Sequence, residues 1–441
     1  MPSTPPPPDR VHRSIGVLER TLGIRPTETR ALAWSWLYVF ALFLAYYVLR
    51  PIRDELGVSG GVRNLPWLFT GTLVAMIAIN PLFAWIVGRW PRERFIAVAY
   101  RFFMLNILVF MALLMTATPE QHVWIGRAFF IWVSVFNLFV VSVFWSFIVD
   151  VFDSEQGRRL FGFLAAGATT GGIVGSALTS GLVEALGQNW LLLASVALLE
   201  VAVFAARRLS AVSDAFSRPL EREAAHQPVG GGLFAGIAHT FQSRYLLGIA
   251  FFILFYTVTS TVLYFQQATI AEQNFSDRAT RTAFFANIDL WVNVLTLGLQ
   301  LFVTGRIMGW IGMAATLCAL PLLSAAGFAM LAAYPGVAVF VALQVARRVS
   351  NFAFAKPARE VLFTSVARED RYKAKNFIDT VVYRSGDQIG AWGYAGLLAL
   401  GLGMTGIAVV AVPISVVWLG LSFWLGRRQA RWERVSAAEL R

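Results

Sequence analysis

The chain has 441 residues, 57% of them hydrophobic and only 14% charged, with a formal net charge of +12 and a mean hydropathy of +0.62. Soluble domains carry about 25% charged residues, so this composition excludes a soluble protein and places the chain in a lipid bilayer. The apolar runs are about 20 residues long and do not alternate, which excludes a β-barrel, and the single cysteine, Cys318, excludes an internal disulfide and any Cys-rich metal site.

Residues 1–30 read as a cytoplasmic tail rather than a signal peptide, because they open on Pro5 to Pro8 and hold no apolar core before Ala31. Val11, Ile15, Leu18 and Leu22 repeat at helical spacing among Arg10, Arg13 and Arg20. That pattern fits a short interfacial helix or a disordered tail. Twelve apolar spans follow, at 31–49, 66–88, 95–117, 123–149, 161–186, 190–206, 245–266, 284–305, 311–333, 337–355, 376–402 and 404–425. The longest polar insert, 207–244, holds Asp214, Pro219, Glu221, Arg222 and Gly230 to Gly232 and falls after the sixth span. The layout is an N-terminal six-helix half at 31–206, a cytoplasmic linker at 207–244, a C-terminal six-helix half at 245–425 and a cytoplasmic tail at 426–441. The expected fold is an all-α integral membrane bundle of the major facilitator type, in which two such halves enclose a midplane site.

Placing both termini in the cytoplasm leaves only Arg50, Arg53, Arg63, Arg278 and Arg281 in outside loops and Arg127, Arg347, Arg348 and Arg384 within spans, out of 37 basic residues. Cytoplasmic loops collect Lys and Arg, so most of the net charge is topogenic and no nucleic-acid partner is needed to explain it. The Ala- and Arg-rich bias points to a bacterial source and so to the inner membrane. In span 5, Gly167, Gly171 and Gly175 repeat every four residues; such a stripe permits close helix approach, either as static packing or as a sliding contact between halves.

Several charged or polar groups stand where lipid would penalise them. At the end of span 1, Tyr46, Arg50 and Arg53 share one helical face if the helix persists past Pro51. Asp54 is the expected partner of this basic pair; the competing reading is a pair of snorkelling arginines. Arg127 opens span 4 and either lines a cavity or sits at the interface, and Glu200 in span 6 is a buried partner or lies near the cytoplasmic end. Span 7 carries Tyr256, Ser260, Tyr264 and Gln267. Span 8 carries Asp289, Asn293, Thr296 and Gln300 on one face, where Asp289 either balances a buried arginine or binds a proton. Arg347 and Arg348 are adjacent inside span 10, and one charge at a bilayer centre costs roughly 2.5–3.5 kcal/mol. Arg348 is expected on the cavity face near Asn351 and Ala355, and Arg347 in a salt bridge. Span 11 is preceded by Lys356, Arg359, Glu360 and Lys375 and contains Asp379, Tyr383, Arg384 and Asp387; Lys375 with Asp379, and Tyr383 with Asp387, are expected pairs at spacing four.

No phosphate-binding glycine loop, metal-ligand cluster or catalytic triad is legible, and His12, His122, His226 and His239 lie outside the spans. No cofactor, metal or obligate protein partner is expected, and the chain reads as a non-enzyme: a carrier of something anionic, driven by a gradient or by exchange.

The motifs Arg50 to Gly57 (RPIRDELG), Phe144 to Asp150 (FWSFIVD), Arg159 to Gly162 (RLFG), Lys356 to Glu360 (KPARE) and Lys373 to Asp379 (KAKNFID), taken in order across most of the spans, resemble the ATP:ADP antiporter family of nucleotide exchangers. The resemblance implies a major facilitator-like fold and exchange of nucleotides or related phosphorylated anions. By position, it implies that Arg53, Arg359, Glu360, Lys375 and Asp379 match the family's basic and acidic signatures. The chain departs from the family's usual pattern at Arg53, where lysine is common, and at Asp150, where a neutral polar residue is common. The substrate-binding set expected from all of these readings is Tyr46, Arg50, Arg53, Arg127, Arg348, Lys375, Tyr383 and Arg384. The coupling or charge-balancing set is Asp54, Asp289, Asn293, Asp379 and Asp387. The alternatives are proton-coupled export of an amphipathic compound or lysolipid, with Asp289 or Asp379 as the proton site, and a non-transporting membrane scaffold.

Overall fold

The computed structural model describes residues 28–87, 92–152, 154–213, 240–366, 374–375 and 377–439. The expected interfacial helix at 11–22, most of the linker, Asn376 and the side chain of Asp150 lie outside the described residues. Among the described residues every regular element is helical. Six long helices precede the linker: α1 Thr29–Ser59, α2 Leu65–Val87, α3 Arg92–Thr116, α4 Pro119–Val151, α5 Ser154–Leu186 and α6 Gln188–Ser213. Six follow it: α7 Arg244–Asn274, α8 Arg278–Leu299, α9 Gly305–Ala333, α10 Val337–Leu362, α11 Tyr383–Ala399 and α12 Met404–Glu439. Eleven are long and apolar enough to cross a bilayer, and α11 reaches that length only together with the π-turn Ile378–Val382 that precedes it.

Two predicted boundaries move. The first span was expected to end at 49, before Pro51, but α1 continues through Pro51 to Ser59. A proline removes one helical hydrogen bond, and burial of Ile52, Asp54, Glu55 and Leu56 beyond it holds the helix on course. The last span was expected to end at 425, but α12 continues to Glu439; after Gly426 the sequence has no glycine or proline to stop a helix. Local chemistry sets other ends. Thr118 and Gln121 form a reciprocal capping box ahead of α4, with Pro119 in its first turn. The side chains of Ser243 and Asp277 cap α7 and α8. Gly187, at φ 78°, makes the one-residue link between α5 and α6.

Of the four packed cores among the described residues, three define the architecture. One is built almost wholly from α1 and α3 to α6, and another wholly from C-terminal helices near the chain-termini end of the bundle. The third joins Val58, Val62, Leu65, Leu68 and Phe130 to Val262, Leu263, Phe265, Phe285 and Phe340, sealing the two halves together at the end remote from the termini. Between the halves α5 packs on α8, α2 on α11, and α1 on both α7 and α8. The glycine stripe of α5 lies against α1 of its own half. A Cβ at Gly175 would meet the Leu44 carbonyl at 2.6 Å, and one at Gly167 would meet the Trp36 indole at 2.8 Å. The stripe is therefore static packing within one half, and only Gly172, one step round, faces Asn293 of α8.

Candidate functional site

Asp289 joins the two halves electrostatically at mid-depth. It is buried near the middle of α8, and its Oδ1 accepts from Arg348 Nη1 at 2.7 Å and lies 3.3 Å from Arg50 Nη1. Arg50 comes from α1 and Arg348 from α10, so one carboxylate holds a cation from each half. The sequence places Arg50 in an outside loop and Arg348 within span 10. The structure corrects this: Arg50 and Arg348 share one site at mid-depth, because α10 runs antiparallel to α1 and carries residue 348 to its own midpoint. Two guanidinium groups on one carboxylate leave one net positive charge. Neighbouring Asn293, buried on the same face of α8, has no partner for its Nδ2, and Thr296 has none for its hydroxyl.

Arg347 was expected in a salt bridge and is not in one. Fully buried, it donates to Ser324 Oγ at 3.0 Å, Thr259 Oγ1 at 2.5 Å and the Tyr256 carbonyl at 3.1 Å, and it lies over the Tyr256 and Trp418 rings. Adjacent helical residues diverge by about 100°. That sends Arg348 to the cavity and Arg347 into the C-terminal half, where neutral oxygens and ring faces replace a carboxylate.

One turn beyond Arg50, Arg53 stacks on Phe130 at 4.1 Å and sits 3.7 Å from Asp54, which accepts from Tyr264 of α7 at 2.9 Å. Arg53 Nε has no hydrogen-bond partner. Arg53, Tyr46, Arg384, Asp387 and Gln388 line a cavity of about 140 Å³. That volume admits an anion the size of a phosphoryl group and falls below the roughly 300 Å³ of ordinary ligand pockets. Asp387 accepts from Arg384 at 3.2 Å and from Thr261 of α7 at 3.3 Å. The expected pairing of Asp387 with Tyr383 is not made; the Tyr383 ring instead approaches Tyr256, with centroids 6.3 Å apart.

Two further expectations are corrected. Lys375 pairs with Glu360, and Asp379 lies 3.5 Å from Arg359, so the Lys375–Asp379 pair does not form. The π-turn that begins at Ile378 widens the helix, and residues four apart no longer stack there. Arg127 does not line the cavity. Its guanidinium donates to the Gly60 carbonyl at 3.2 Å, which also accepts from Asn64 Nδ2 at 2.9 Å, and stacks on Trp124 at 4.6 Å, capping the C-terminus of α1.

The sequence reading missed the seal beyond these sites. Glu55, wholly buried, accepts from Arg281 of α8 at 3.0 Å and from Gln188 at 3.1 Å, and Gln188 also donates to Thr282 at 2.9 Å. Arg278 of α8 meets His122 of α4. Trp67 and Trp392 pack edge to face, and Thr70 joins Gln388 and Trp392. Glu55 was visible in a RPIRDELG run, but the partner more than 200 residues away was not. Arg101 of α3 pairs with Glu200 of α6 at 2.5 Å on the bundle surface of the N-terminal half. All of the polar contacts between halves described here lie at mid-depth or toward the end remote from the termini. The bundle is closed at that end. Among the described residues no group of His, Cys, Asp and Glu has the geometry of a metal site.

No known family profile matches the chain. Over 214 residues it is 26% identical to ADP,ATP carrier protein 2 of Chlamydia pneumoniae, a match covering 43% of this chain and 40% of that relative, so the chain spans less than half the length of the relative it matches. In solved structures the fold recurs in a bacterial homologue of the iron transporter ferroportin in an inward-facing state (TM-score 0.61, 13% identity, 92% of this chain and 98% of that one). It recurs in the nucleoside transporter NupG (TM-score 0.56, 12% identity, 92% and 99%). A bacterial homologue of the human lysosomal transporter Spinster, inward-facing and unoccupied, gives a TM-score of 0.55 at 14% identity over 93% and 99%. The chain therefore has the twelve-helix, two-half fold of the major facilitator type, and part of it is similar in sequence to an ADP,ATP carrier.

Proposed function

We propose that the protein is a secondary carrier that moves nucleotides or related phosphorylated anions across the bacterial inner membrane by alternating access, through exchange or ion coupling. The observation that carries this reading is the Arg50–Asp289–Arg348 group: two arginines from opposite halves on one carboxylate, with one positive charge left over at mid-depth. Arginine binds phosphate oxygens through paired, charge-assisted hydrogen bonds. An anion seated there replaces Asp289 as the tie between halves, which is how a substrate couples its own binding to their relative movement. Arg53 extends the site toward the closed end; Tyr46 and Arg384 share its cavity, and Tyr383 lies beside Arg384. Lys375, beside Glu360 at the other end, offers an entering anion a first cation, and Asp54, Asp379 and Asp387 balance these charges. Asn293 adds a free donor beside Asp289.

The ADP,ATP carrier similarity favours nucleotides within this class. The arginine distribution favours both termini in the cytoplasm, which makes the closed end the outside and the described state inward-facing. The linker at 207–244 then joins the halves on the cytoplasmic side. The test is uptake of labelled nucleotides into proteoliposomes by wild type, Arg50→Ala and Arg348→Ala. Losing a hydrogen bond to a charged group costs about 1.5–3 kcal/mol, so each substitution lowers apparent affinity about ten- to a hundredfold. Unchanged uptake in both removes this group from the mechanism. A thermal-shift panel of nucleotides, sugar phosphates and lysolipids ranks the substrates independently.

A further inference from the structure

We propose that Asp387 is a proton-binding latch that holds Arg384 away from substrate until it is protonated. The argument begins with the charges at the cavity. Arg53 and Asp54 come from α1, Arg384 and Asp387 from α11, and the surrounding faces of α1, α7 and α11 add the phenols Tyr46, Tyr264 and Tyr383. Two cations face two carboxylates, so the cavity has no free charge to offer an anion, unlike the Asp289 group with its surplus. Arg384 becomes available only if Asp387 gives it up.

The two partners of Asp387 differ in kind. Arg384 is three residues away on the same helix, with about a third of its side chain exposed, so it can swing. Thr261 is fixed on the buried face of α7. Thr257, Thr259 and Thr269 of that helix all donate their hydroxyl to the backbone four residues back, whereas Thr261 donates to Asp387. A hydroxyl both donates and accepts, so Thr261 can hold the carboxylate and, by reversing its own hydrogen, the carboxylic acid. Gly386 and Gly390 bring α11 close to α7 at Thr257 and Thr261 and keep this contact in register. Protonation thus removes the negative charge that binds Arg384 and leaves Asp387 where it was. The released Arg384 pairs with Arg53 across the halves to take an anionic group, and anion and proton enter together. A buried carboxylate on a span is the group that performs such relays in pumps and transporters.

The cargo in this proposal rests on the carrier reading above; the proton site does not. Infrared difference spectra of the purified full chain in lipid, stepped between acid and alkaline pH, should show one protonated-carboxyl band that disappears in Asp387→Asn and persists in Asp289→Asn. In Thr261→Val the band should change frequency, because it reports that hydrogen bond; this variant makes the assignment even if Asp387→Asn does not fold. In proteoliposomes, uptake of labelled nucleotide should rise several-fold when the substrate side is made acid, and the ratio of the two rates should fall to one in Asp387→Asn. No titrating band, a band unaffected by either substitution, or nucleotide uptake indifferent to the pH gradient overturns the latch. The band without uptake of any phosphorylated anion sustains the proton site and overturns the assigned cargo.

Discussion

Asp289→Asn tests the central group most directly. Arg50 Nη1 and Arg348 Nη1 lie 3.3 and 2.7 Å from the same Oδ1, so the two nitrogens are at most 6.0 Å apart. With an effective dielectric constant of about 20, two unit charges at that separation repel by about 3 kcal/mol. The wild-type carboxylate offsets this repulsion, and an amide does not. Breaking a buried pair by removing one partner costs about 3–5 kcal/mol, and both arginines retain some solvent contact (22% and 14%), so about 3 kcal/mol is expected. In a thermal-shift assay of purified protein, Asp289→Asn should melt several degrees below wild type, and the melting-point rise given by a saturating nucleotide should be larger than in wild type, because the variant site carries two positive charges. Asp289→Asn/Arg348→Ala should recover part of the lost stability by removing the repulsion. If the double variant loses the sum of the two single losses, the groups act independently and the reasoning about a shared carboxylate is wrong.

Glu55→Gln leaves Arg281 without its buried partner and should loosen the closed end. In a Cys318→Ser background, a cysteine placed at buried Leu68 should then react faster with a membrane-impermeant maleimide added from outside; equal rates would show that the pair is not part of the seal. Arg347→Met should change stability by less than about 1 kcal/mol. No carboxylate is left behind, Ser324 and Thr259 keep their backbone hydrogen bonds, and replacing buried charge by apolar volume is often neutral. Its nucleotide uptake should stay near wild type, in contrast with Arg348→Met. Asp277→Ala removes the cap of α8 and should cost about 0.5–1 kcal/mol near neutral pH. Outside the spans, backbone N–H groups led by that of Thr280 hold the Asp277 carboxyl below its usual pKa. The wild-type advantage is therefore full above the unfolded carboxylate pKa, near 4, and fades as pH falls through the lower folded value, which urea titrations at neutral and strongly acid pH can compare.

Much of this organisation is legible in the chain. Apolar runs of about 20 residues locate the helices because lipid leaves no other way to satisfy a backbone, and arginines and aspartates inside those runs stand out because burial penalises them. Arg50, Arg348, Asp289 and Asp387 were all identifiable on that ground. Their partners were not. Local spacing paired Lys375 with Asp379 and Tyr383 with Asp387, but a π-turn in the first case and the approach of Thr261 in the second gave different neighbours. Arg127 reads from sequence as either a cavity arginine or an interfacial one, and only the end of α1 beside it shows that its target is a carbonyl.

Membrane insertion, the placement of the apolar spans and the identity of the side chains too costly to face lipid follow from length and local transfer energy, and so are legible in the chain alone. Packing in three dimensions brings Arg50 and Arg348 together on Asp289, turns Arg347 away from them into a neutral pocket, and closes the bundle at the end remote from its termini. Those outcomes depend on how antiparallel helices far apart in the chain bring particular depths into register, and no local pattern carries that information.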